Sequence, residues 1–93
     1  MPVMFHIPGP LRSFTAGQAE VDLAASPATL SEALAALWVR HPGLRDRLVT
    51  EQGQVREHIN LFVGNEHFRY TGGLATPLAA DTEVWIIPAI SGG

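Results

Sequence analysis

The sequence predicts an α+β domain in which one main helix packs on one face of a mixed sheet of four to five strands. Three observations carry that expectation. Short alternating apolar segments stand near both ends of the chain, and one capped amphipathic helix lies between them. At 93 residues, 46% hydrophobic and 16% charged, the chain is long enough for one core and too short for two.

Val3 to Ile7 is an apolar run closed by Pro8-Gly9-Pro10, which predicts a strand meeting a turn. Ala19 to Ala25 alternates in part, with Val21 and Leu23 on one face and Glu20 and Asp22 on the other, so the two segments suit a hairpin with an irregular loop. Thr29 with Glu32 three residues on makes a capping-box pattern. Leu30, Ala33, Leu34, Leu37, Trp38 and His41 then form one apolar stripe at helical spacing, and Pro42-Gly43 stops the helix. Leu44 and Leu48 extend a short second turn of helix, and the polar stretch Thr50 to Gln54 is expected to be a mobile loop. Ile59, Leu61 and Val63 alternate with Asn60 and Phe62 in a strand. Gly64-Asn65-Glu66 turns the chain, and His67 to Tyr70 runs back. Gly72 to Ala80 is a loop and Asp81-Thr82 a turn. Glu83 to Ile87 is the last strand, ended by Pro88.

Composition removes several functions. The net charge of −3 repels phosphate backbones and argues against nucleic-acid binding or a polybasic membrane anchor. There is no cysteine, hence no disulfide, thiolate metal site or Cys nucleophile. All six cations are arginines (Arg12, Arg40, Arg45, Arg47, Arg56 and Arg69), so Schiff-base and P-loop lysine chemistry are excluded too. The longest apolar run, Ala33 to Val39, is far short of the roughly 18 residues of a membrane span. Met1 to Pro8 lacks a basic region followed by a long apolar one, so no secretory signal is expected and a cytoplasmic location is.

No catalytic residue is predicted. His6, His41, His58 and His67 lack paired ligand spacing, so no metal site is expected. His41 falls near a helix C-terminus and the others on strand surfaces. The nine acids are scattered, with no pair on a shared apolar wall, and no nucleophile elbow is present. Gly72-Gly73 precedes no helix start and is a turn, not a phosphate cradle. Arg56, Arg69 and the Arg40 to Arg47 cluster suit solvated faces. A terminal Gly-Gly alone would suit a frayed end. The residues ahead of it change that.

The C-terminal third reads His58-Ile59-Asn60-Leu61-Phe62-Val63-Gly64-Asn65, then Gly72-Gly73-Leu74, then Asp81-Thr82-Glu83-Val84-Trp85-Ile86-Ile87, and closes on Pro88-Ala89-Ile90-Ser91-Gly92-Gly93. This succession resembles the ubiquitin-like sulfur carriers of the MoaD and ThiS family, especially the longer CysO-type carriers. Its strand motif, G-G-L loop, acidic turn and closing P-x-x-x-G-G are the matching parts. The earlier strand, hairpin and helix fit the family's order without diagnostic residues.

The resemblance implies a β-grasp domain over residues 1–88 and a flexible tail over 89–93. It implies a carrier with no bound cofactor. An E1-like adenylating enzyme of the MoeB or ThiF type would use ATP to activate Gly93, and sulfur would replace AMP to leave a thiocarboxylate. A sulfur-accepting synthase would take the sulfur, and a protease could expose or recycle the Gly-Gly. The residues support that chemistry in their own right. A terminal carboxylate is ionised and a poor electrophile until activated, and a cysteine-free chain cannot trap the product. Ala89, Ile90, Ser91, Gly92 and Gly93 can reach about 16 Å at roughly 3.3 Å per residue, enough to enter a partner's active site. Side-chain-free glycines fit a narrow slot.

The alternation of the last strand sets Trp85 and Ile87 opposite Val84 and Ile86, and Phe62 shares their face if its strand is adjacent. Together they suggest an apolar partner-binding patch, with Ile87 at the position that meets the activating enzyme in the family. The same pattern also allows Trp85 to pack beneath the 50–54 loop as core. Three functions remain distinct: sulfur delivery to cysteine or a related metabolite, with the small subunit of molybdopterin synthase as its near variant; protein modification through isopeptide bonds from Gly93; and a binding module in which Gly-Gly is incidental.

Overall fold

In the computed structural model, which describes residues 3–23 and 27–89, the central helix is built at its start by side-chain chemistry. Thr29, in extended conformation, accepts a hydrogen bond on its hydroxyl from the Glu32 N–H and begins α1 (Leu30–Arg40). Glu32 reaches back to the Ala28 N–H at 3.4 Å, one residue ahead of the usual capping-box donor. At the far end the His41 N–H closes on the Leu37 carbonyl and Pro42 diverts the chain into a single 3-10 turn. A short helix, α2 (Arg45–Leu48), follows and buries Leu48 beside Leu44.

Five strands form one sheet: β1 (Val3–His6), β2 (Glu20–Leu23), β3 (Ile59–Val63), β4 (Glu66–His67) and β5 (Glu83–Pro88), in the order β2-β1-β5-β3-β4. β1 and β5 are parallel and the other pairs antiparallel. Alternation sends Phe5, Val21, Leu61, Val84 and Ile86 into the core shared with Leu30, Leu34 and Leu37 of α1. The helix thus covers one face of the sheet and leaves the other open. The loop between β1 and β2 is a 3-10 segment, Gly9–Thr15, that buries Thr15.

Three expectations are corrected. The last strand takes in Pro88 as its final residue, one beyond the expected Ile87, and Pro88 pairs with Ile59. The Ala89 N–H donates to the His58 carbonyl (2.6 Å) and the Glu83 carbonyl accepts from Gly64, so odd-numbered backbone groups face β3. The missing N–H of Pro88 therefore points to the side where β1 has already stopped, its pairing ending at His6 and Trp85, and no ladder bond is lost.

The return strand after the turn is only Glu66–His67, with a two-residue loop that has Gly64 at φ 62° at its first position. Phe68–Tyr70 is a 3-10 turn, because His67 Nδ1 accepts from the Arg69 N–H and the Phe68 carbonyl from Thr71. Local side-chain bonds there replace the ladder, and Phe68 turns inward.

The polar 50–54 stretch is a hydrogen-bonded turn, not an open loop. The Thr50 N–H meets the Gln54 carbonyl at 2.8 Å, Gly53 takes φ 84°, and Val49 bridges to Val55.

The loop after Tyr70 is anchored to the helix start. Gly72 and Gly73 have φ 124° and 63°, and Thr76, buried, donates its hydroxyl to the Gly73 carbonyl and lies 2.9 Å from the Thr71 hydroxyl. The Thr76 carbonyl in turn accepts from the Leu30 N–H, one of the orphan donors of the first helical turn.

Candidate functional site

The open face of the sheet carries a row of side chains that spans all five strands. Register places Glu20 beside His6, His6 beside Trp85, Trp85 beside Phe62, and Phe62 beside His67. His6 and Trp85 each stand between two buried residues, Phe5 and Ile7 for the one and Val84 and Ile86 for the other, so alternation sends their side chains to the open face. Ile87 lies on the same face two residues beyond Trp85 and opposite Asn60.

The three predicted patch residues are therefore brought together. Trp85 is 42% and Ile87 44% exposed, and Phe62 is half-buried between its neighbours. Trp85 is not core beneath the 50–54 turn. It rests on His6, the two rings stacked with centroids 3.6 Å apart. His6 Nε2 donates to Glu83 Oε1 at 2.6 Å, and Glu20 Oε2 stands 3.6 Å from His6 Nδ1. At the other end of the row, His67 meets Phe62 edge-on at 5.3 Å. Its Nδ1 accepts from the Arg69 N–H, which puts the ring proton on Nε2, and Nε2 donates to Asn60 Oδ1 at 3.0 Å. Tyr70 projects beside it, 86% exposed.

His6 and His67, read from the sequence as plain strand-surface histidines, are thus parts of the aromatic row. Their signal was their phase: each stands one residue from a buried aromatic, His6 after Phe5 and His67 before Phe68. His41 caps α1, and its Nε2 is buried without a partner among the described residues. No group of three or more His, Asp or Glu comes together as a metal site among the described residues. Several arginines serve the backbone. Arg40 donates to the Asp22 carbonyl, Arg56 to the Asp46 carbonyl, and Arg47 lies 4.9 Å over the Phe14 ring. Among the described residues no helix is long and apolar enough to cross a membrane.

Ile90, Ser91, Gly92 and Gly93 lie outside the described residues. Their root does not: β5, the strand that carries Trp85 and Ile87, leads directly into them, and its pairing with β3 extends to Ala89. Two exposed apolar side chains, Trp85 and Ile87, and the start of the C-terminal segment thus share one strand.

Comparison with known proteins agrees with this geometry. The ThiS family model matches residues 5–93. The chain is 37% identical to the sulfur carrier protein CysO of Mycobacterium tuberculosis over 95 aligned positions that cover all of both proteins. A chain of the crystal structure of the Amycolatopsis orientalis BexX/CysO complex superposes with a TM-score of 0.87 at 35% identity, covering 98% of this chain and 99% of that one. The small archaeal modifier protein 1 of Haloferax volcanii superposes with a TM-score of 0.79 at 27% identity, covering 95% of this chain and 97% of that one. The five-stranded mixed sheet with its single main helix is the β-grasp fold.

Proposed function

The chain belongs to the ThiS family, and from that membership we propose that it is a sulfur carrier, a co-substrate rather than an enzyme, whose Gly93 carboxylate is converted to a thiocarboxylate. The observation that carries this reading is the full-length likeness to a sulfur carrier protein, with the family match running through Gly92 and Gly93. In the proposed sequence a Gly93 oxygen attacks the α-phosphorus of ATP and pyrophosphate leaves. Hydrosulfide then attacks the acyl carbon, AMP departs, and the thiocarboxylate remains ionised. ATP and the sulfur source belong to the activating enzyme; this chain supplies the acyl group and the surface that presents it.

Phe62, Trp85 and Ile87 are the proposed contact with that enzyme, of the E1-like MoeB or ThiF type, because Trp85 and Ile87 are the exposed apolar residues of the strand that leads into the tail and Phe62 pairs with Trp85 from β3 beside it. A structure of a relative in complex with BexX supports the presence of a partner. Ala89 to Gly93 would enter the partner's site, where glycines let the backbone approach the nucleotide. The recipient of the sulfur is proposed to be a synthase of cysteine or a related metabolite, in the cytoplasm, in keeping with the likeness to CysO.

The test exploits the missing cysteines. Protein purified from its own cells with a native C-terminus is treated with a thiol-alkylating reagent and mapped by tandem mass spectrometry. An adduct on Gly93 is expected, since the chain has no other thiol. Unlabelled Gly93, even after incubation with ATP, sulfide and the activating enzyme, overturns the reading. The likeness to small archaeal modifier protein 1 favours one second reading, isopeptide attachment to target lysines. That reading predicts conjugates of higher mass in extracts. Chains of the protein linked through its own side chains would be absent, since it has no lysine.

A further inference from the structure

A groove of about 440 Å³ opens where β5 outruns β1, a size within the range of ligand-binding clefts. β1 stops pairing at Trp85, whereas β5 continues through Pro88, and the gap is walled by Ile7 and Pro8 on one side and Ile87 and Pro88 on the other. Arg12, from the 3-10 segment after β1, lines the same groove. Its Nε–H donates to the Ile7 carbonyl at 3.0 Å, which fixes the guanidinium and leaves the Nη edge for another acceptor. The ion pairs among the described residues join His6 to Glu20, His6 to Glu83 and Arg45 to Asp46, so no carboxylate there pairs with Arg12. Glu20 also lines the groove, but its Oε2 lies 3.6 Å from His6 Nδ1.

We propose that this groove is a binding site for a peptide carboxylate, and that its occupant is the C-terminal segment of this same chain, with the Gly93 carboxylate on the Nη edge of Arg12. The chain passes Pro88 on the groove's wall, and residues 90–93 follow directly. Four residues reach about 13 Å at roughly 3.3 Å each, enough to turn back along the wall. Gly92 and Gly93 permit that turn, and Ile90 supplies an apolar side chain for a groove walled by Ile7, Pro8 and Ile87. A planar guanidinium with two free N–H groups on one edge suits a carboxylate bidentately. The seat holds the tail at rest, so a partner must lift it out before chemistry begins. The inference concerns the ordinary carboxylate and stands apart from whether Gly93 carries sulfur.

The test uses the 93-residue chain with ¹³C-labelled glycine carbonyls, and follows the Gly93 carboxyl resonance through a pH titration by NMR. The carboxyl is expected to titrate at a pH about 0.5 lower in the wild type than in Arg12→Gln. Arg69→Gln, which removes the same charge elsewhere, should follow the wild type. Independently of the substitutions, removing residues 90–93 should shift the amide resonances of Ile7, Ala19 and Ile87. Equal titration in wild type and Arg12→Gln, an equal effect of Arg69→Gln, or groove amides unmoved by the truncation each overturns the proposal.

Discussion

The imidazole of His6 lies flat on the indole of Trp85, centroids 3.6 Å apart and planes within 4°. The contact arises from parallel pairing of β1 with β5, which sets the two residues side by side on the open face. Glu83 holds one ring nitrogen of His6 and Glu20 stands near the other, so the ring beneath the indole is held in place from two sides.

Removing that support should free Trp85 without disturbing the core. In a Trp38→Phe background, where Trp85 is the one remaining indole, His6→Ala should shift the fluorescence emission to longer wavelength and lower stability by about 1 kcal/mol. His6→Phe, which keeps a flat ring, should restore most of both. Identical spectra for wild type and His6→Ala would show that the stack does not set the indole's environment.

The docking role of the open face separates from its structural role in a different substitution. Trp85→Ala should weaken binding to the activating enzyme by about 30-fold, the loss expected for a central aromatic anchor. Trp85→Ala also loses the stack on His6, so the melting temperature should fall by roughly 4–8 °C, and affinity is compared at a temperature where both proteins are folded. Val39→Ala, on the exposed side of α1, is the matched control and should leave affinity unchanged. Calorimetric titration of both variants against the enzyme decides between a docking face and an incidental one.

Thr29→Ala tests the helix start. Its hydroxyl satisfies the Glu32 N–H, and losing it should cost about 1 kcal/mol and lower the melting temperature by roughly 4–8 °C. Thr29→Ser, which keeps the acceptor, should stay close to wild type in the same thermal scan.

That capping residue belongs to the part of the fold legible in the sequence. The helix and its stop, the alternating strands and the common face of Trp85 and Ile87 follow from local patterns of spacing, whereas Phe62 joins that face only through the pairing of β3 with β5. What was hidden depends on neighbours far along the chain. Pro88 is tolerated inside β5 only because β1 ends three residues earlier in register, and the lone sequence of β5 carries no record of that. The His6–Trp85 stack joins residues 79 positions apart, so neither histidine spacing nor strand alternation could announce it. His67 to Tyr70 looked like a strand because its residue types favour one. The bond from the Arg69 N–H to His67 Nδ1 ended it, a choice between side-chain and ladder partners made only in the folded chain. The chemistry proposed for Gly92 and Gly93 stands on another footing. It rests on covalent structure and a motif, and needs no tertiary contact to be recognised.

The last prediction follows from that contrast between tail and core. Deleting Gly92 and Gly93 removes the proposed acyl group and none of the described core, so sulfur loading with ATP, sulfide and the activating enzyme should fall to nothing while the melting temperature holds. Phe5→Ala should do the reverse. Phe5 is fully buried beneath α1, and its truncation should cost about 3–5 kcal/mol, a large share of the roughly 5–15 kcal/mol that holds such a domain together. At a temperature where that variant is still folded, its intact Gly93 should load. A truncated chain that loads sulfur would place the reactive group elsewhere, and one that melts well below wild type would mean that the terminal glycines support the fold.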